Sequence, residues 1–159
     1  MSRNFIRVFL PNTPAGGNPE EKYWSAPDSR NYYVFGGPDG GHAGTMKDVI
    51  FTFGGNDTIL AGDGFDYVSA GDGNDTILSG DGADELTGGH GDDRIQGQGG
   101  DDTIRGDEGW GTLGGHDTIW GARGHDSLDG GAGDDALRGG ADNDTLLGDG
   151  WDGAVGSDR

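Results

Sequence analysis

Eleven aspartates fall at one position of a nine-residue unit. Counted from Ala43, units begin at Ala43, Thr52, Ala61, Ala70, Ser79, Gly88, Gly97, Gly106, Gly121, Gly130 and Gly139. The sixth residue is always Asp, from Asp48 and Asp57 through to Asp135 and Asp144. A carboxylate is a hard oxygen donor, and the glycines around it leave backbone carbonyls open. Two stacked turns would offer two carboxylates plus carbonyls, which suits Ca²⁺ with its roughly six to eight oxygen ligands in flexible geometry. Candidate side-chain ligands are Asp57, Asp66, Asp75, Asp84, Asp93, Asp102, Asp117, Asp126, Asp135 and Asp144. Candidate carbonyl ligands are those of Gly55, Gly62, Gly64, Gly71, Gly73, Gly80, Gly82, Gly89, Gly91, Gly100, Gly124, Gly131 and Gly133. Asp48 is left out because Thr45, Met46 and Lys47 stand where its turn should be glycine-rich.

Other metals fit less well. Mg²⁺ demands a tight octahedron and keeps its waters. Zn²⁺ wants His or Cys, but there is no cysteine, and His116 and His125 lie in consecutive units whose turns fall on opposite edges. The expected load is about 6–9 calcium ions; eight would bring roughly +16 against a net charge of −19.

The elements that position these aspartates follow from the eighth residue of each unit. It is Ile50, Ile59, Val68, Ile77, Leu86, Ile95, Ile104, Ile119, Leu128, Leu137 or Leu146, apolar in every unit. One apolar residue in nine is too few for an amphipathic helix. It suits a turn of about six residues followed by a three-residue strand whose middle side chain points inward. Two units then make a coil, and coils stack so that unit i lies over unit i+2. The expected fold is all-β: a right-handed parallel β-roll. Its one break in phase is an insertion at 106–115, "GDEGWGTLGG", expected to bulge from one edge.

Composition alone, with 37 Gly and 29 acidic against 10 basic residues, reads as an acidic disordered segment. A register held over eleven units decides against that. Burying one side chain per nine residues does not offset the entropy of ordering the backbone, and the stacked aspartates repel. The fold therefore needs the ion. The charge also argues against nucleic acid and anionic membranes as partners. No apolar run reaches the ~18 residues of a membrane span, and "MSRNFIRVFLPNTPAGG" lacks the apolar core of a secretory signal peptide.

With these residues in view, the chain resembles the repeats-in-toxin (RTX), or haemolysin-type, calcium-binding family, whose nonapeptide is G-G-x-G-x-D-x-U-x. "GGAGDDALR" (130–138) and "GGHGDDRIQ" (88–96) match it outright, and "AGDGNDTIL" and "SGDGADELT" keep its turn. The resemblance implies ions held between turns i and i+2 by sixth-position carboxylates and turn carbonyls. It also implies type I export without an N-terminal signal peptide, and folding on calcium outside the cell. Three departures stand out: the unit at Ala43, Asp142 in place of a fourth-position glycine, and the insertion.

Three segments are expected: an aromatic-rich cap or docking segment at 1–42, the β-roll at 43–147, and a C-terminal tail or degenerate repeat at 148–159. "NFIRVFL" and "NYYVF" read as strands of the cap, which packs on Val49, Phe51 and Tyr67. Leu60, Leu78 and Trp120 form an apolar trace on one outer face, a second place where another protein or assembly could dock. The three "NDT" glycosylation patterns lie inside metal turns and are incidental. No nucleophile elbow, P-loop, EF-hand or HExxH occurs, and no acid–base pair is left over for catalysis. The reading is a non-catalytic extracellular calcium module for folding, spacing or docking. Its alternatives are the export appendage of a type I-secreted enzyme, toxin or adhesin, a structural subunit of a larger extracellular assembly, and an ice-binding roll. The last is disfavoured because the third positions (Gly54, Asp63, Asp72, Asp81, His90, Gly99) show no Thr/Asn ranks.

Overall fold

A computed structural model of the chain describes three short strands at 6–9, 22–25 and 32–35 and the stretches 47–109 and 114–149. It is all strand and turn, with no helix among the described residues. The fourteen strands are β1 (Ile6–Phe9), β2 (Lys22–Ser25), β3 (Tyr32–Phe35), β4 (Asp48–Phe51), β5 (Thr58–Leu60), β6 (Tyr67–Asp72) and β7 (Thr76–Asp81), followed by β8 (Glu85–His90), β9 (Arg94–Gly99), β10 (Thr103–Arg105), β11 (Thr118–Arg123), β12 (Ser127–Gly131), β13 (Ala136–Ala141) and β14 (Thr145–Asp149). Odd-numbered strands form one seven-stranded sheet and even-numbered strands the other. Every pairing is parallel; in the regular coils residues 18 apart stack, as in Ile59 on Ile77 and Val68 on Leu86, and across the insertion the spacing is 24, as in Ile95 on Ile119. The chain is a parallel β-roll.

The eighth-position side chains fill the tube: Ile50, Ile59, Val68, Ile77, Leu86, Ile95, Ile104, Ile119 and Leu128 are all essentially inaccessible. Their neighbours face outward, because side chains alternate along a strand. A second interior row comes from the first position, where Thr52, Ala61, Ala70 and Ser79 are buried. The Thr52 hydroxyl donates to the Ala70 carbonyl and the Ser79 hydroxyl to that of Gly97. Strands β6 to β9 continue through this position and run six residues, while β5 and β10 keep the three expected. The true bend is confined to positions four to six.

The N-terminal strands join the same stack. β2 lies in register on β4, and β3 on β5, with β1 outside β3. Strands at Ile6–Phe9 and Tyr32–Phe35 coincide with the two expected segments, and Lys22–Ser25 is a strand beyond them. Phe51 and Tyr67 form an aromatic pair with centroids 5.6 Å apart, and Tyr23 is in register with Val49. The remaining contacts of 1–42, and residues 110–113 and 150–159, lie outside the described residues.

Stacking makes the turn glycines obligatory at specific places. A Cβ on Gly73 (φ 134°) would stand 1.8 Å from the Gly55 carbonyl oxygen of the coil below. Where other residues occupy such positions, the backbone is still forced to positive φ: Gln98 at 77°, Ala122 at 91° and Asp142 at 78°. A left-handed non-glycine residue costs on the order of 1–3 kcal/mol. Ala122→Gly should therefore stabilise the calcium-loaded fold by about 1 kcal/mol, after the entropy added to the unfolded chain is subtracted. Thermal melts in saturating calcium test this, and an unchanged or lower midpoint would contradict it.

Candidate metal centre

The sixth-position aspartates form two continuous columns, one along each edge of the roll. Within a column, the backbone N–H of one Asp donates to Oδ1 of the Asp in the next coil. Asp57 donates to Asp75 (2.6 Å), Asp75 to Asp93 (2.8 Å), Asp93 to Asp117 (2.8 Å) and Asp117 to Asp135 (2.8 Å). On the other edge, Asp48 donates to Asp66, Asp66 to Asp84, Asp84 to Asp102, Asp102 to Asp126, and Asp126 to Asp144. Asp48 thus sits at the foot of its column in spite of the irregular turn before it. All but Asp144, which is half-buried, are buried.

That ladder uses one carboxylate oxygen. In Asp75, Asp93, Asp102, Asp117 and Asp126 the other oxygen, Oδ2, is buried with no hydrogen-bond partner. A buried charge lacking compensation is costly, and such a group takes up a proton unless something else neutralises it. Burial, reinforced by the column neighbours, pushes Asp75, Asp102 and Asp117 up to about 7 from an ordinary 3.8. For Asp93 burial, with Asp75, Asp117 and Asp107 around it, raises the value to about 9. Asp84 and Asp126 shift upward for the same leading reason.

Fifth positions build a second ladder running the opposite way. Here the side chain of the lower coil accepts the N–H of the upper one: Asn56 from Asn74, Asn74 from Asp92, Asp92 from His116, and His116 Nδ1 from Asp134. On the other edge Asp101 accepts from His125, and His125 Nδ1 from Asn143. The two histidines are thus turn acceptors on separate edges.

Among the described residues, no inter-turn backbone bond ends on a fourth-position carbonyl. Those of Gly55, Gly64, Gly73, Gly82, Gly91 and Gly100 point along the stack toward the glycine of the next coil. The Gly124 and Gly133 carbonyls hold the same register. Of the second-position carbonyls, those of Gly71, Gly80, Gly89 and Gly131 belong to strand ends and that of Gly62 lies two residues past β5; those of Gly62 and Gly71 face the next coil's glycine similarly. No three His, Cys, Asp or Glu side chains converge among the described residues. A cation here would draw at most two carboxylates from side chains and the rest of its oxygens from the backbone. That donor set fits Ca²⁺, which accepts carbonyls and carboxylates together, and it excludes a Zn²⁺ cage.

On the outer face, Leu60, Leu78 and Trp120 lie in one row, Leu60 on Leu78 and both Leu78 and Trp120 beside Gln96. The Arg94 guanidinium covers the Trp120 ring at 4.2 Å, a cation–π contact that half-buries the ring. No helix among the described residues is long and apolar enough to cross a membrane.

A family model described as RTX calcium-binding nonapeptide repeat (4 copies) matches residues 51–86, 78–109 and 111–146, more than half of the chain. No curated protein and no solved structure matches it.

Proposed function

Because the chain belongs to the RTX calcium-binding nonapeptide repeat family, we propose that it is a non-catalytic module that folds on taking up calcium outside the cell and then serves as a structural, spacing or docking unit. The observation that carries this reading is the pair of buried carboxylate columns, in which Asp75, Asp93, Asp102, Asp117 and Asp126 each spend one oxygen on the stack and keep the other buried without a hydrogen-bond partner. Ca²⁺ would be held by Asp57, Asp66, Asp75, Asp84, Asp93, Asp102, Asp117, Asp126, Asp135 and Asp144 with turn carbonyls. Its chemistry is neutralisation and cross-linking of adjacent coils; the protein's part is to present oxygens at a fixed axial repeat. Extracellular millimolar calcium suits such sites, and export in the unfolded state suits a chain whose order awaits the ion. Leu60, Leu78 and Trp120, lying in one row, supply a face through which a partner could dock.

Equilibrium dialysis followed by metal analysis tests the reading. About 6–9 calcium ions per chain should bind, with half-saturation at ~10⁻⁴–10⁻³ M, and equal magnesium should displace few of them. Fewer than two ions at saturation would defeat the proposal.

A further inference from the structure

The insertion carries a carboxylate that the repeat does not predict. Asp107 occupies the second position of its unit, where the structure elsewhere places Gly, Phe53, Gln98 or Ala122 in the stack. In regular coils the second-position carbonyl oxygen lies against the second-position glycine of the coil above. A Cβ on Gly80 would stand 1.8 Å from the Gly62 oxygen, and one on Gly89 2.0 Å from that of Gly71. At Gly131, the corresponding neighbour is instead the Asp107 side chain, with Oδ2 at 2.3 Å from that point. The hydrogen bonding agrees. Asp72 donates its N–H to the Phe53 carbonyl at 2.8 Å, whereas Ala132, one coil from Asp107, donates to Asp107 Oδ2 at 2.6 Å. Asp107 Oδ2 has taken over a backbone oxygen's place.

The second oxygen is then surplus. The Gly115 N–H, like that of Ala132, is directed at the Asp107 carboxylate, yet Oδ1 is buried and within hydrogen-bond distance of no donor. Beside it, Asp117 is 1% exposed, its Oδ2 is also without a partner, and that atom points at Gly106, the residue preceding Asp107. The Gly130 carbonyl oxygen faces the same point, 2.3 Å from where a Gly106 Cβ would stand.

We infer that Asp107 is an additional calcium ligand, working with Asp117 and the Gly130 carbonyl, so that the insertion keeps a metal site at the step where it breaks the repeat. This inference rests on the calcium reading above. Its alternative is a purely structural patch, in which Asp107 replaces a missing carbonyl acceptor and nothing more.

Asp107→Asn separates the two, because asparagine keeps an oxygen for the Ala132 and Gly115 N–H groups and loses the charge and the second carboxylate oxygen. Native mass spectrometry at calcium just sufficient to saturate the parent should count one ion fewer in Asp107→Asn, with circular dichroism in excess calcium unchanged. Glu108→Gln, which touches the neighbouring acidic residue, should keep the parent's count. Equal counts in parent and Asp107→Asn would overturn the assignment. So would sheet loss in Asp107→Asn that excess calcium does not repair, because the contact would then be structural, and so would the same one-ion loss in Glu108→Gln. A parent that takes up no calcium at all would overturn the broader reading and this one with it.

Discussion

Adding EGTA to the calcium-loaded chain at pH 8 should abolish its sheet signal in circular dichroism, and restoring calcium should bring it back. The transition should be cooperative, centred at ~10⁻⁴–10⁻³ M free calcium, with magnesium nearly inert. The reason lies in what each coil contributes. Its interior is one Ile, Leu or Val per unit with a small first-position residue beside it. Between those rows stand carboxylates such as Asp75, Asp93 and Asp117, stacked on one another by single hydrogen bonds. Remove the ions at a pH where the aspartates are ionised, and each column becomes a line of like charges in a poorly hydrated edge. Nothing else crosses from coil to coil strongly enough to compensate, since each coil touches only its neighbours and the chain has no cysteine for a disulfide. Sheet content that survives chelation intact at pH 8 would sink the argument.

Much of this could be read from the residues because the repeat forces it. Asp at six and an apolar residue at eight define the register, and the pairing of Ile59 with Ile77 follows from it. The first position was less legible. Thr52, Ala61, Ala70 and Ser79 look like surface or turn residues, yet they are buried. Their common signal is size, since a larger side chain would meet the carboxylate that folds inward from position six. At Gly97, for example, a Cβ would come within 2.1 Å of Asp102 Oδ2. Strands β6 to β9 run on through that position to six residues, whereas β5 and β10 keep the expected three. The opposed fifth-position ladder was invisible because Asn, Asp and His share no obvious chemistry until each is seen accepting one backbone N–H. Asp107 was missed because an insertion reads as lost register, whereas its first residues still follow the coil. Lys22–Ser25 lacks any repeat, so only tertiary pairing with β4 identifies it as a strand.

The metal-free chain should regain order as the solution is acidified from pH 8.5 toward 5.5. In the folded stack Asp75, Asp102 and Asp117 hold their protons up to about 7 and Asp93 up to about 9, against 3.8 when unfolded. Between those limits the folded state binds more protons than the unfolded one, so its stability falls as pH rises and is recovered as pH falls. Below 3.8 both states are protonated and the dependence ends. A proton thus does part of the cation's work: it removes the column charge, though it cannot bridge two coils. Holding Asp75, Asp102 or Asp117 ionised in the folded state at pH 8 costs on the order of 4 kcal/mol, so the three together rival the whole stability of a typical small domain. Calcium escapes this dependence, because the loaded fold needs no proton on the columns and the unfolded chain has none to release above pH 5. Sheet content in EGTA should therefore rise on acidification, while the calcium-loaded signal stays level from pH 8.5 to 7. A metal-free sample whose sheet content is equally low at pH 8.5 and 5.5 would show that the cross-link, and not the charge, is what the empty columns lack.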